Sequence, residues 1–543
     1  METERREEMK LLRKNKVIFY SILVIWMLAG TIIFNYSVGH AQNQVDSNEF
    51  YKFMKIFRDV VLMVKQNYVE DIKMEELFEY AINGMLEDVD PHTNFMKPDD
   101  FKEFQTSTMG EFGGLGITID KQGDYITVVS PIEGTPAYKM GIQAGDKIVK
   151  VDGENVVGIN TDDVIKKMRG EKGSKVLITI SRPGLKNTLD FEIIRDIIKI
   201  KSIPYAFKLD NGIGYIRIRQ FNANTSSELR QSLDTLEKEG IRGLLIDLRF
   251  NPGGLLNEAI DTVNEFIGGE KLVVFTKGRV PQYNQEYFTR YNRMRTGYPV
   301  VVMINEASAS ASEIFAGSLQ DWDKGLVVGK TSFGKGSVQQ LYPLSDGYGI
   351  KITISKYYIK SGRCIHKDIN DKLLRGKEVS EEEKKKIEKE NNDHIYKTVK
   401  GRTVYGGGGV TPDIEIEQDR LNNLEMEIRR LNLFFDYSVD YIAKHKDQVK
   451  ENFVADDTII QNFLVYAKEK GLKYEKASLD SSYTYIKNSL TSNIIDKKFG
   501  EIAGYKAGLN VDKQLVEALA IFDKYPTLDD MFDYAKTIQK SKK

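Results

Sequence analysis

The first feature along the chain is an uncharged run. Residues 17–34 carry no charged side chain, and at about 1.5 Å per helical residue such a run spans about 27 Å, enough for a hydrocarbon core. Lys10, Arg13, Lys14 and Lys16 precede it. A basic flank holds the N-terminus in the cytosol and sends the downstream chain across the membrane. The pattern predicts a cytosolic N-terminus at 1–16 and a transmembrane anchor or signal segment at 17–36. Gly39-His40-Ala41 has the small residues of a signal-peptidase site, but the length of the run favours an uncleaved anchor over a cleaved signal.

From 45 to 109 apolar residues return at three- and four-residue spacing: Phe53, Ile56, Phe57, Val60, Val61 and Val64, then Leu77, Tyr80, Ala81 and Met85. That period predicts a small helical region. Asp90-Pro91-His92-Thr93 ends it in a proline turn, where His92 reads as a packing residue. Between 110 and 197 glycines punctuate short alternating stretches, which predict strands after Gly116, at 125–129, within 144–153 and at 175–181, with one helix at 161–169.

From 198 to 416 strands and helices alternate. A buried strand at 241–248 runs through Arg249-Phe250-Asn251-Pro252-Gly253-Gly254 into a helix at 255–267. A second, at 299–304, runs through Asn305-Glu306-Ala307-Ser308-Ala309-Ser310-Ala311-Ser312 into a helix from about 313 to 321. Two strand-loop-helix units predict an α/β layer with functional loops at the carboxyl ends of its strands. An insert at 371–393 is rich in Glu and Lys and reads as a solvated helix or loop. The rest, 417–543, reads as a helical domain, with Leu421, Leu424, Ile428, Leu431 and Phe435 on one face. The predicted fold is thus an α/β core with an inserted, mostly β module, an N-terminal transmembrane helix and a C-terminal helical domain.

Composition narrows the functions. Among 543 residues, 78 Lys plus Arg face 79 Asp plus Glu, so no global charge draws the chain to nucleic acid. The lone cysteine, Cys364, excludes an internal disulfide and a Cys-based zinc site, and it reads as a small packing residue in a strand. The five histidines are scattered without a His-Glu-x-x-His pair, so no metal is expected.

Chemistry is sought in the Ser308-Ala309-Ser310-Ala311-Ser312 run. Small residues let a backbone approach a substrate, and a serine at a helix start lies near N–H groups and the positive end of the dipole. Three serines compete, Ser312 being placed to cap the helix ahead of Glu313. A serine needs a base. No Gly-x-Ser-x-Gly elbow occurs, no histidine is paired with a serine by spacing, and Lys335, in Thr331-Ser332-Phe333-Gly334-Lys335-Gly336, is the better candidate. Desolvation brings a buried lysine toward neutrality. Gly329 to Lys335 also fits Gly-x-x-x-x-Gly-Lys, but Gly336 stands where a phosphate loop needs Ser or Thr, and a strand comes next where that motif needs a helix.

Two resemblances extend this reading. Gly114-Leu115-Gly116-Ile117, then Ala144-Gly145-Asp146-Lys147-Ile148, then the helix carrying Val164 and Met168 resemble a PDZ domain at 110–197. That implies a nest of backbone N–H groups at Gly114, Leu115, Gly116 and Ile117 for a C-terminal carboxylate, with the peptide adding as a strand beside the helix residues Val164 and Met168. The serine run with Glu313-Ile314, Gly317 and Gln320-Asp321, the segment from Phe333 to Gln340, Asp247-Leu248-Arg249 with Asn251-Pro252-Gly253-Gly254, and the glycines from Gly406 to Gly409 before Pro412-Asp413 resemble the C-terminal processing peptidases, tail-specific Ser/Lys proteases of family S41.

That second resemblance covers about residues 50–416. It implies a crotonase/ClpP-like layered protease core at 198–416, with Ser310 as nucleophile, Lys335 as base and Gln339 orienting the lysine. The oxyanion donors would be the amide of Ala311 and one from Gly253 or Gly254, Gly253 being favoured. No cofactor is needed. Arg169, at the end of the PDZ helix, either couples that domain to the core or is an ordinary surface arginine. The expected activity is that of a serine endopeptidase cutting proteins near their C-termini. Its partners would be protein or peptide substrates with free C-termini and, through the N-terminal helix, the inner membrane, with the catalytic part in the periplasm. A PDZ scaffold or inactive homologue is the competing reading, against which the intact Ser310, Lys335 and Gln339 set argues. The 417–543 tail would be a structural domain, or the site of a homo-oligomer or adaptor contact.

Overall fold

The structure is a computed structural model describing residues 47–541 except 293, 368–379, 381, 383–393 and 419. The expected anchor at 17–36 lies outside these residues, as does the insert at 371–393 apart from Ser380 and Glu382. Among the described residues no helix is long and apolar enough to cross a membrane. The described residues form two compact units, divided between Met85 and Leu86. In the first, helix α1 (Ser47–Asn67) and the start of α2 (Met74–Glu87) follow the predicted apolar period, and Phe57 meets Phe78 edge-on at 5.8 Å between ring centroids.

The second unit begins with the Asp90 turn, β1 (Asn94–Met96) and α3 (Pro98–Met109), which carries proline at its start and left-handed Gly110 after its end. From β2 (Glu111–Gly114) the chain enters the predicted small module: β3 (Ile117–Gln122), β4 (Tyr125–Pro131), α4 (Pro136–Lys139), β5 (Lys147–Val151), β6 (Glu154–Asn155), α5 (Thr161–Met168), β7 (Lys175–Ser181) and β8 (Leu189–Ile194). β9 (Asp196–Lys199) then returns antiparallel to β2, so the module is an insertion on a two-stranded stem. Its sheet runs β3-β4-β5-β7-β8, with β6 on β5, and β3 is an edge strand. Ile126, Val128, Ile148, Ile178 and Ile180 bury one face of that sheet against Val164 and Met168 of α5.

The core follows: β10 (Tyr205–Lys208), β11 (Ile213–Arg217), α6 (Thr225–Lys238), β12 (Gly243–Asp247), α7 (Leu256–Val263), β13 (Leu272–Lys277), β14 (Glu286–Phe288), β15 (Val300–Ile304), α8 (Ala311–Asp321), β16 (Leu326–Gly329), β17 (Ser337–Pro343), β18 (Gly349–Ile359), β19 (Ile395–Lys397), β20 (Thr403–Tyr405) and β21 (Ile414–Glu415). The central sheet has the order β10-β11-β12-β15-β16-β21 and is parallel except at β10. Its period-two alternation divides two cores. Leu244, Ile246 and Val302 pack with α6, α7, α8 and Tyr357 of β18, whereas Leu245, Val301 and Met303 face the other way.

That other face explains the tail. Helices α9 (Asn423–Arg430), α10 (Leu433–His445), α11 (Asp457–Glu469) and α12 (Lys476–Phe499) share a core of their own. The predicted apolar stripe through Phe435 is interrupted at Asn432, whose φ of 53° separates α9 from α10. Beyond α13 (Glu501–Gly508), however, α14 (Lys513–Lys524) and α15 (Leu528–Ser541) lay Leu515, Phe522, Met531 and Phe532 on the second face of the central sheet. The segment read as one helical domain therefore divides: a separate bundle, then two helices completing the α/β core. A parallel sheet with strands apolar on both faces must be covered on both, and the helices before 417 cover only one. The bundle also touches the inserted module: the buried Lys497 ammonium lies 3.4 Å from the Val129 carbonyl oxygen, and a Cβ on Gly145 would come within 2.7 Å of Val439.

Candidate active site

The apolar strand β15 ends at Ile304, and the loop after it is fastened to the loop after β12. Ser308 Oγ donates to the Leu248 carbonyl at 2.8 Å, Ser312 Oγ donates to the Asn251 carbonyl at 3.0 Å, and Asn305 Oδ1 accepts from the Phe250 amide at 2.9 Å. Ser308 and Ser312 are fully buried in these roles. Ser312 is thus a fastener, and the helix α8 starts earlier than the sequence indicates, at Ala311. Ser310 immediately precedes it, half-buried, with φ 56° and ψ −113°. Positive φ at a residue with a Cβ is strained, and it holds only where the surroundings impose it.

What imposes it is Glu313. Its Oε2 accepts the Ser310 amide at 2.8 Å and the Lys335 amide at 2.9 Å, while Oε1 accepts the Gly334 amide at 2.7 Å and Ser332 Oγ at 2.5 Å. One carboxylate thereby joins the serine and lysine segments. Burial pushes its carboxyl up to about 7, against the lowering effect of those four hydrogen bonds. On the opposite side of the same pair the Tyr357 hydroxyl lies 3.1 Å from the Ser310 carbonyl oxygen and 2.5 Å from that of Lys335. Glu313 therefore ties the amides of Ser310 and the half-buried Lys335 together, and the single Tyr357 hydrogen lies between their two carbonyls.

The turn at Gly253-Gly254 closes over this point. A Cβ on Gly253, at φ 98°, would lie 2.7 Å from Ser310 Cβ and 2.9 Å from the Ala311 nitrogen, so only glycine permits the approach. The Gly253 amide donates to Asn251 Oδ1 at 2.9 Å, and its carbonyl accepts from the Phe221 amide at 2.9 Å. In a trans peptide the next N–H points opposite to that carbonyl, so the Gly254 N–H faces away from Phe221. Behind the turn, Asp247 is fully buried; burial would raise it, but the charges of Arg249 and Arg217 hold it at about 2. Arg249 also reaches Asp512, the cap of α14, so the sheet-covering helices are tied to this loop.

Of the other expected site residues, Gln339 lies on β17 with its Nε2 on Ser337 Oγ at 3.0 Å and Thr353 Oγ1 at 3.3 Å. In the inserted module, Gly114 to Ile117 bridge β2 and the edge strand β3, Leu115 is buried in the module's core, and Gly116 takes φ 78°. Val164 and Met168 are core residues, 0% and 8% exposed, with the partly buried Ile117 packed on the same cluster. Arg169 lies at the end of α5, partly exposed. Its guanidinium donates to Glu103 of α3 at 3.0 Å and lies 5.0 Å from the Phe112 ring centre, while Phe101 of α3 packs on Gly349 of β18. Glu313 and Tyr357 were not expected. The Ser-x-x-Glu spacing from Ser310 is a local signal for the first, but nothing near Tyr357 in the sequence marks it.

Residues 212–372 match peptidase family S41, 127–182 the PDZ domain, 26–100 the activating protease CtpB N-terminal domain, and 425–500 a family of unknown function. A carboxy-terminal-processing protease of Bartonella bacilliformis is 39% identical over 349 residues, 63% of this chain and 80% of that protein. Carboxy-terminal processing protease CtpA of Bacillus subtilis is 32% identical over 362 residues, 66% of this chain and 76% of that one. Among solved structures, a photosystem II D1 C-terminal processing protease aligns at 27% identity and a TM-score of 0.35, over 66% of this chain and 86% of its own. The protein is a serine peptidase with an inserted PDZ domain and a C-terminal helical region. Within that class, the chain belongs to the family of carboxy-terminal processing proteases.

Proposed function

We propose that Ser310 is the nucleophile, Lys335 its general base and Gln339 the residue that orients the lysine. The observation that carries this reading is the single Glu313 oxygen that accepts the amides of both Ser310 and Lys335. Neutral Lys335 takes the Ser310 hydroxyl proton as the oxygen attacks the peptide carbonyl. The tetrahedral oxyanion is met by the Ala311 N–H, at the positive end of α8, and by the Gly254 N–H in preference to that of Gly253, whose hydrogen already goes to Asn251. The lysine returns the proton to the leaving amine, and water hydrolyses the acyl-enzyme through the same pair. A parallel sheet between helical layers fits the crotonase/ClpP-like type of core.

Substrates are selected by their free C-termini. The carboxylate sits on the backbone N–H groups of Gly114 to Ile117 and the tail lies along β3 beside α5, whose Val164 and Met168 are packed into the module's core and support the strand instead of touching the tail. The unpaired edge of β3 supports this, because it offers a row of donors and acceptors to an added strand. Arg169 carries the domain's position to the core through Glu103 and α3. A peptide with a free C-terminal carboxylate should be cut about tenfold or more faster at subsaturating concentration than its C-terminal amide, since a charge-assisted hydrogen bond contributes about 1.5 to 3 kcal/mol. Equal rates for acid and amide would remove tail recognition from this reading and leave the Ser/Lys chemistry standing.

We further place the enzyme at the inner membrane, anchored by residues 17–34 with its catalytic part outside the cytoplasm; the support is the uncharged run and its basic flank. Native enzyme should stay with membranes through a carbonate wash and retain its first 41 residues. A soluble form starting near Gln42 would replace the anchor with a cleaved signal.

A further inference from the structure

The proline turn at Asp90 belongs to a chain of hydrogen bonds that ends at Gln339. Asp90 Oδ1 accepts from the His92 amide at 2.8 Å, the Thr93 amide at 3.0 Å and Thr353 Oγ1 at 3.0 Å, and Oδ2 accepts from Thr93 Oγ1 at 2.5 Å. The Thr353 amide in turn donates to Thr93 Oγ1 at 3.1 Å, and β1 pairs with β18 through Asn94 and Lys351, so the turn is registered on the strand that carries Thr353. Although burial would raise the Asp90 carboxyl, the bonds from Thr93, His92 and Thr353 hold it below the ordinary range, so it remains ionised at working pH.

An ionised carboxylate can only accept. The Thr353 hydroxyl has one hydrogen and gives it to Asp90, so toward Gln339 it can only accept. The Gln339 amide must then turn its nitrogen to Thr353, at 3.3 Å, where that nitrogen also reaches Ser337 Oγ at 3.0 Å. Its oxygen is left on the opposite side. With no acceptor fixed at Asp90, the Thr353 hydrogen would be free to meet Gln339 Oε1, the amide could flip, and two N–H donors would replace the oxygen.

We propose that Asp90 and Thr353 are positioning residues that fix the orientation of the Gln339 amide, so that its oxygen is the acceptor for the Lys335 ammonium and holds that nitrogen in line with Ser310. The proposal rests on Gln339 orienting Lys335 as read above. It gives the turn, at the other end of the protease sequence, a part in catalysis with no contact to substrate.

The test measures kcat and KM of the full-length enzyme on one unstructured peptide. Thr353→Val keeps the shape and removes the hydroxyl; it should lower kcat about tenfold or more with KM within about twofold. Thr353→Ser should restore kcat to near that of the parent. In a Gln339→Ala background Thr353→Val should cost nothing more, because the relay then has no end to act on. Asp90→Ala should repeat the Thr353→Val behaviour in the same cycle if it folds. Full kcat in Thr353→Val overturns the proposal, and so does a loss that serine does not rescue or that adds to that of Gln339→Ala. Normal kcat in Gln339→Ala would instead defeat the role of Gln339 and the relay together, while a loss in Gln339→Ala without one in Thr353→Val defeats the relay alone.

Discussion

Ser310→Ala and Lys335→Ala should each abolish proteolysis, by about a thousandfold or more, in a protein that still folds and still binds a C-terminal tail, because the nucleophile and base proposed here act as a unit. The two segments are tied together through backbone groups that alanine retains: the amides on Glu313 Oε2 and the carbonyls on Tyr357. Neither variant should therefore lose much stability. Ser308→Ala and Ser312→Ala separate chemistry from structure. Their hydroxyls fasten the serine loop to Leu248 and Asn251, so each should cost about 1 kcal/mol of stability and far less activity. Assay of the four variants beside their melting curves decides the matter. A dead Ser308→Ala with a normal Ser310→Ala would overturn the assignment.

Glu313→Gln is the second large effect. The carboxylate accepts four hydrogens, and an amide at the same place turns a donor toward one pair of them, leaving buried N–H or O–H groups without an acceptor. Loss of that clamp lets the lysine segment shift from Ser310, and a displacement of about 1 Å costs about a hundredfold in kcat. The same group makes a pH prediction of two signs. Protonated below about 7, Glu313 can no longer accept all four bonds, so activity should fall as pH drops through that value, in the same direction as protonation of the lysine proposed as base. Stability moves oppositely. A carboxyl raised from 4.5 to about 7 on folding contributes stability that is present below the lower value and lost as pH rises to the upper one, on the order of 3 kcal/mol. From about pH 8 to about pH 5.5 the enzyme should lose rate while gaining melting temperature through this group, and the gain should vanish in Glu313→Gln. A melting temperature that falls with the rate in the parent would contradict the role given to the buried carboxylate.

Much was legible from local pattern. Strands at 243–247 and 300–304 are apolar at nearly every position, the mark of a sheet buried on both faces, and each runs straight into a loop and a helix. The glycines and short alternating strands of 110–197 require nothing from the rest of the chain to be read as a separate β module, and the structure returns them as one sheet on a two-stranded stem. These features depend on residues within a few positions of one another, where spacing and propensity act directly.

What the sequence determined by itself was therefore the two strand-loop-helix units, the inserted β module and the serine and lysine segments on which chemistry was expected. The tertiary structure decided the rest. It separated Ser310 from its two neighbours, because buried carbonyls of Leu248 and Asn251 engage Ser308 and Ser312 and not Ser310. It divided the tail, because only assembly of the central sheet exposes the second apolar face that Phe522 and Phe532 cover. It also brought Asp90, Thr353 and Tyr357 beside residues from distant parts of the chain. A hydrogen bond between residues far apart in sequence leaves no periodic trace, since its partners are chosen by the fold and not by their neighbours.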